Sequence, residues 1–256
     1  MSQETLTTGA AFDAGLNHSL KVLVTTADTS IAAGEAVGFL QRIEGQNVQS
    51  LAKGTSAAKK STFSFYAKGT AKTFIVEFQD DNSRRFSRTF TTTTSWQRFT
   101  IDVPADTTGE IDNDNTTGLT IIFWFHAGSD FTSGTLQTTW GGTTNANRMV
   151  GCESLFDSTD NELFITGVQL EVGSIATPFE HRTIAQEELD CFRYFYTEEG
   201  VKSVYSTYYS SGKGIGNYRW KVPMRAAPTI TIVAQSGGMS ANGSTVQGFY
   251  AYNNTA

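Results

Sequence analysis

The chain has 256 residues, 17% of them charged and 12% aromatic, and a formal net charge of −6. This acidic balance supplies no positive field to condense on phosphates, which argues against non-specific nucleic-acid binding, and the longest apolar runs, such as Leu119 to Phe125, fall far short of the roughly 20 residues that span a bilayer. The aromatic content is too high for a disordered chain, and the length suits one large β domain plus an appendage.

Residues 1–18 are small and polar with no sustained period and read as an N-terminal arm. Met1 is followed by Ser, Gln, Glu and Thr, neither the charged start nor the apolar core of a secretory signal, which points to assembly in the cytoplasm. Short segments rich in Val, Ile, Phe, Tyr and Thr then recur at Ser19–Thr26, Ala36–Ile43, Thr62–Lys68, Thr73–Gln79, Arg85–Thr91, Gln97–Val103, Leu119–His126 and Leu163–Val172. Gly, Asn, Asp or Ser punctuates them, the pattern of an all-β domain. Phe63 and Phe65 share one strand face, as do Phe74, Val76 and Phe78, which turns the phenylalanines inward and Glu77 outward. Leu119–His126 is apolar on both faces, with Ile122 and Trp124 on the second, so that face has to be covered by a neighbouring subunit or by the C-terminal unit.

Leu163–Val172 alternates as a strand with one apolar face, stops at Gly173 and Ser174, and continues through Thr177 and Pro178 as a fixed linker. Thr183 with Gln186 three residues on reads as a capping box, and Ala185, Leu189, Phe192 and Tyr196 fall on one helical face. Val201–Tyr209, Gly214–Val222, Thr229–Ala234 and Val246–Tyr252 read as strands of a smaller unit, near the size at which a lone core is marginal and oligomerisation is a common remedy. The resulting division is an arm at 1–18, a β-sandwich over 19–180, and a short helix plus small β domain over 181–256. No heptad run or short repeat marks a fibrous shaft.

The pieces GVQLEVG, ATPFEHR and EELDCFRYFY, in that order, together with NVQSLAKGTSAAKKSTFSFYAKG, FWFHAGSDFTSG and TTNANR upstream, resemble a module of tail-fibre and other minor structural proteins of tailed bacteriophages. The resemblance covers residues 20–196. It implies a jelly-roll β-sandwich similar in shape to carbohydrate-binding modules, in a virion protein that works as a homo-oligomer, with a homotrimer as the expectation. It brings no catalytic residues.

Trp140 stands in LQTTWGGTTNANR, among threonines and before a Gly-Gly turn, with no evident core to join. An exposed indole stacks on the apolar face of a sugar while Asn145, Asn147 and Arg148 bond its hydroxyls, so these four make a candidate glycan site. The alternative is a ring that caps the sandwich edge and asparagines that terminate turns. Trp96 and Trp220 read as packing. Trp124, Phe192, Tyr196, Tyr208, Ile230 and Ile232 are the candidate oligomer interface, where tyrosine is favoured for joining apolar area to a hydroxyl.

Asp106, Asp112 and Asp114 invite a structural-calcium reading. Counting from Asp112, however, the loop has Thr117 where an EF-hand needs glycine and Phe123 where it needs glutamate, so a solvated acidic turn competes and no cofactor is required. Cys152 and Cys191 are the only cysteines and read as reduced structural thiols. His18, His126 and His181 are isolated, and the sequence has neither a zinc pair nor a nucleophile elbow, so the chain reads as non-enzymatic. The expected function is that of a virion structural protein of tail or capsid, assembled in the host cytoplasm, whose partners are further copies of itself, other virion proteins and host-surface polysaccharide. The rivals are a polysaccharide-degrading tailspike, for which Glu77 and Glu180 would be the acids, and a capsid cement protein.

Overall fold

The first unit has ten strands: β1 (Ser2–Thr5), β2 (His18–Leu23), β3 (Ala36–Glu44), β4 (Ser61–Gly69), β5 (Thr73–Asp80), β6 (Arg84–Thr91), β7 (Gln97–Val103), β8 (Thr117–Ala127), β9 (Gly141–Gly142) and β10 (Glu162–Val172). The structure, a computed structural model, describes all residues except 196, 198–205, 211–212, 230–238, 246 and 254–256. The strands form two antiparallel five-stranded sheets, ordered β1-β2-β10-β4-β7 and β3-β8-β5-β6-β9. Together they make the all-β, jelly-roll-like sandwich expected from the alternation. The chain divides into two units, Met1–Glu180 and His181–Ala256.

The sandwich core is a phenylalanine cluster. Phe63, Phe65, Phe74, Phe78 and Phe86 are fully buried and join Phe90 and Phe123. Phe63 meets Phe78 at 5.3 Å and 89°, and Phe65 meets Phe123 at 5.0 Å and 88°. Such edge-to-face pairs add about 0.5–1.5 kcal/mol each beyond the area they bury.

Three sequence expectations need correction. Residues 1–18 are part of the sandwich and not an arm: β1 pairs with β2, and Leu6, Ala11 and Leu16, the latter two in and just after the short helix α1 (Ala10–Asp13), form a cluster with Tyr66 on the outer face of the first sheet. Neither a second subunit nor the C-terminal unit is needed to cover the second face of β8. Met149, with Phe131, Leu136 and Cys152, packs there against Ile75 and Trp124, so the 129–152 segment does the covering.

The third correction concerns β10, which does not keep one apolar face. Its register against β4 shifts between Thr166 and Gln169, a bulge that carries one extra residue. Gly167 takes φ 57° there, and a Cβ would meet Leu16 Cδ1 at 2.6 Å, so glycine suits both the backbone and the space. Before the bulge, Leu163 and Ile165 point into the core while Phe164 lies outside under Lys21 and Lys68; after it, Leu170 packs against the core.

In the second unit α3 (Ile184–Phe192) starts at Thr183, whose hydroxyl accepts from the Gln186 N–H, as the capping box predicts. The strands β11 (Ser206–Ser210), β12 (Lys213–Arg219), β13 (Met239–Thr245) and β14 (Gly248–Asn253) form a sheet ordered β11-β12-β14-β13. Of the proposed interface residues here, Phe192 lies under the Lys221 ammonium at 4.6 Å and Tyr208 lies in β11. Tyr196, Ile230 and Ile232 fall outside the described residues.

Candidate functional site

Two buried charge networks hold the 129–152 segment against the second sheet, one on the outer face of the sheet and the other at the end of its core face, where Arg84 donates to Trp140 O at 3.3 Å. Glu77, on β5, is 0% exposed. It accepts from Arg148 in a bidentate pair, Nε to Oε2 at 3.0 Å and Nη2 to Oε1 at 3.1 Å, and also from Arg85 Nη1. Arg85 in turn donates to Thr143 at 2.8 Å. Burial pulls the Arg85 guanidinium below its ordinary range, against the opposing pull of Glu77. The outward direction read for Glu77 is right, yet the residue does not face solvent, because the 129–152 segment lies over it.

In the second network Lys53 Nζ reaches Asp80 and lies 2.8 Å from Asp106 Oδ2, while Arg84 donates to both Asp106 oxygens at 2.8 and 3.0 Å. Asp106 therefore already has two cations, which corrects its place in the calcium reading. Asp114 is spent on the Thr116 N–H and hydroxyl, and the Asp112 N–H donates to Asp81.

Burial alone would push the Asp106 carboxyl up, but bonds from Arg84, Lys53 and the Thr108 N–H outweigh it and hold the group well below the usual carboxylate range. A folded value below the unfolded one means that the stabilisation is complete above about pH 4, starts to be lost as the unfolded carboxyl takes up its proton, and is gone once pH has fallen through the folded value. The melting temperature should fall below about pH 4, and with a shallower slope in Asp106→Asn. Equal slopes would remove Asp106 from this role.

The residues proposed for a glycan site are largely occupied by the fold. Trp140 does have a core to join: it packs at 5.9 Å on Phe86, carries Lys53 Nζ 4.3 Å from its ring centre, and donates its N–H to Pro104 O at 2.9 Å. Arg148 is committed to Glu77 and lies 5.3 Å from the ring of Trp124, one of the proposed interface residues. Asn147 Oδ1 accepts from the Thr135 N–H at 2.9 Å. Among the four, Asn145 alone is exposed.

A different feature is open. β3 is the edge of the second sheet and pairs only with β8, while β10 pairs with β2 only as far as Ile165 and beyond it with β4 alone. Between these two edges runs an apolar groove of about 400 Å³, lined by Phe39, Leu40, Gln41 and Val168 at its mouth and by Phe63 and Phe123 at its base. Leu40 and Val168 are 46% and 45% exposed. GVQLEVG thus has a structural reading: its glycine makes the bulge and its Val168 and Leu170 line the groove.

Asp28, Glu35 and His126 form a further cluster, able to hold a metal ion, that sequence reasoning missed: one ligand atom from each lies within 4.8 Å of the others. His126 Nδ1 is 2.7 Å from Ser154 Oγ, and Nε2 is 3.6 Å from Glu35 Oε2. The three residues are isolated in sequence, and only the return of β8 beneath the β2–β3 loop unites them. Of the two cysteines, Cys152 is a half-buried thiol pushed up to about 12 by burial, whereas Cys191 is exposed on α3, contrary to the structural reading of both.

No family model matches the chain, and no curated protein matches it. A solved structure described as "CBM4 structure and function" is similar at a TM-score of 0.32 and 15% identity, over 57% of this chain and 67% of that one. The sandwich assignment rests on the strand order and the phenylalanine core of this chain.

Proposed function

We propose that this chain is a non-enzymatic attachment module of a tailed-phage particle, a homotrimer that presents its sandwich to host-surface polysaccharide. The observation that carries the reading is that the three segments resembling tail-fibre modules follow one another along the chain, from the bulge of β10 to the start of the second unit. GVQLEVG is the bulged, groove-lining half of β10. ATPFEHR is the tether, fixed to the sheet where Gln169 Oε1 accepts from the Glu180 N–H at 2.8 Å. EELDCFRYFY opens in α3 of the next unit. Binding is favoured over turnover because three buried acids, Glu77, Asp80 and Asp106, are each engaged by cations in the fold.

The groove between β3 and β10 is the proposed contact surface. Phe39 offers a ring for the apolar face of a sugar, and the strand edges, together with Gln41, offer donors and acceptors for its hydroxyls. Several copies on one particle raise the effective concentration of weak single sites. Leu40→Asp and Val168→Asp, at exposed positions, should leave the melting temperature unchanged and weaken retention on host polysaccharide about tenfold, or about 1.4 kcal/mol per site. Unchanged retention would reject the groove.

A further inference from the structure

We propose that Asp28, Glu35 and His126 form a binding site for a divalent transition-metal ion of the zinc class. The cluster sits where the β2–β3 loop, residues 24–35, folds onto the end of β8. Backbone bonds fix the loop at both acidic residues independently of any ion. Asp28 N–H donates to Phe156 O at 2.7 Å, and Gly128 N–H donates to Glu35 O at 2.8 Å. The two carboxylates are therefore held on the side of β8 from which His126 projects.

The histidine is the informative member. Its side chain is 2% exposed, and Nδ1 is taken up by Ser154 Oγ, whose position is fixed in turn by the Phe156 N–H at 3.0 Å. Among the described residues Nε2 makes no hydrogen bond. It faces Glu35 Oε2 at 3.6 Å, too far for one. Two donors on one ion, each about 2.0–2.2 Å from it at tetrahedral angles, stand roughly 3.3–3.6 Å apart. The gap thus suits a shared ion better than a direct contact. A metal-ligating imidazole characteristically gives its other nitrogen to a fixed polar partner, the part Ser154 plays here.

Each carboxylate also accepts one backbone bond, Asp28 Oδ1 from the Ser30 N–H at 3.0 Å and Glu35 Oε2 from the Ala32 N–H at 2.7 Å. Asp28 keeps its second oxygen for the ion, and Glu35 Oε2 keeps a second lone pair beside the Ala32 bond. One nitrogen and two carboxylates make a borderline donor set suited to zinc, whereas calcium takes 6–8 oxygens. The remaining coordination position is left to water. Bound there, the ion would clamp the β2–β3 loop to the end of β8.

The test uses the full chain, stripped with chelator and titrated with Zn²⁺ alone by calorimetry. One ion per chain is expected, with a rise in melting temperature and with affinity at least about 100-fold lower in both Asp28→Asn and Glu35→Gln. Both substitutions fall on a loop and should leave the metal-free melting temperature in place. Ser154→Ala, which removes the partner of His126 Nδ1 together with the acceptor of the Phe156 N–H, should weaken binding about 10–100-fold. Absence of binding, wild-type affinity in the Asp28→Asn/Glu35→Gln double variant, or displacement of zinc by an equal concentration of Ca²⁺ would overturn the proposal.

Discussion

Glu77→Gln should destabilise the sandwich by about 3–5 kcal/mol, because it leaves Arg85 and Arg148 facing each other in a buried site without their anion. For a unit of this size that corresponds to a fall of about 10 °C in melting temperature. The effect should persist in high salt, since the pair is shielded from solvent ions. Replacing all three partners together, as Glu77→Met with Arg85→Met and Arg148→Leu, should recover most of the loss, because the penalty belongs to the uncompensated charges and not to the missing bonds. A melting temperature within about 1 °C of wild type in Glu77→Gln would show that the 129–152 segment does not bury this site as described.

Trp140→Ala should cost about 3 kcal/mol. The indole fills space against Phe86, and its loss also removes the cation–π partner of Lys53 and leaves Pro104 O without its donor. Thermal unfolding measures this directly. The expectation separates two roles for the same residue. A ring that serves as a sugar platform can be removed without loss of stability, whereas a ring that closes the core cannot. An unchanged melting temperature with lost retention on polysaccharide would return Trp140 to the binding surface.

The parts of the fold legible from sequence are those where one face of a strand is buried and the other is not. Phe63 and Phe65, or Phe74, Val76 and Phe78, announce their direction by alternation, and the structure places them in the core. Three kinds of feature escaped. Ser2–Thr5 is polar throughout, so nothing in it signals that β2 offers a free edge to pair with. β13, Met239–Thr245, is not among the expected strands because Ser, Asn and Gly are turn formers, and its partner β14 makes it a strand. The Gly167 bulge exchanges the two faces of β10 midway, so continuous alternation put Phe164 and Leu170 together where the fold separates them.

The candidate site was less legible for a related reason. Glu77, Arg85 and Arg148 come from two strands and a loop, and the covering segment has no period to reveal that it lies over them. The groove consists of what two strand edges lack, a neighbour, and absence of pairing leaves no mark in composition. Asp28, Glu35 and His126 carry no motif spacing, since the ligands come from a loop and from a strand far along the chain. The resemblance to tail-fibre modules located the junction but named no contact residue.

The central claim is attachment without turnover. It is tested most directly by incubating the purified chain at high concentration with host-surface polysaccharide and measuring, in one sample, the fraction of chain retained and the reducing ends released. The account predicts retention that depends on Leu40 and Val168, with reducing ends at the level of the protein-free control. Release of reducing ends that is abolished by Glu180→Gln would contradict it and identify a degrading enzyme.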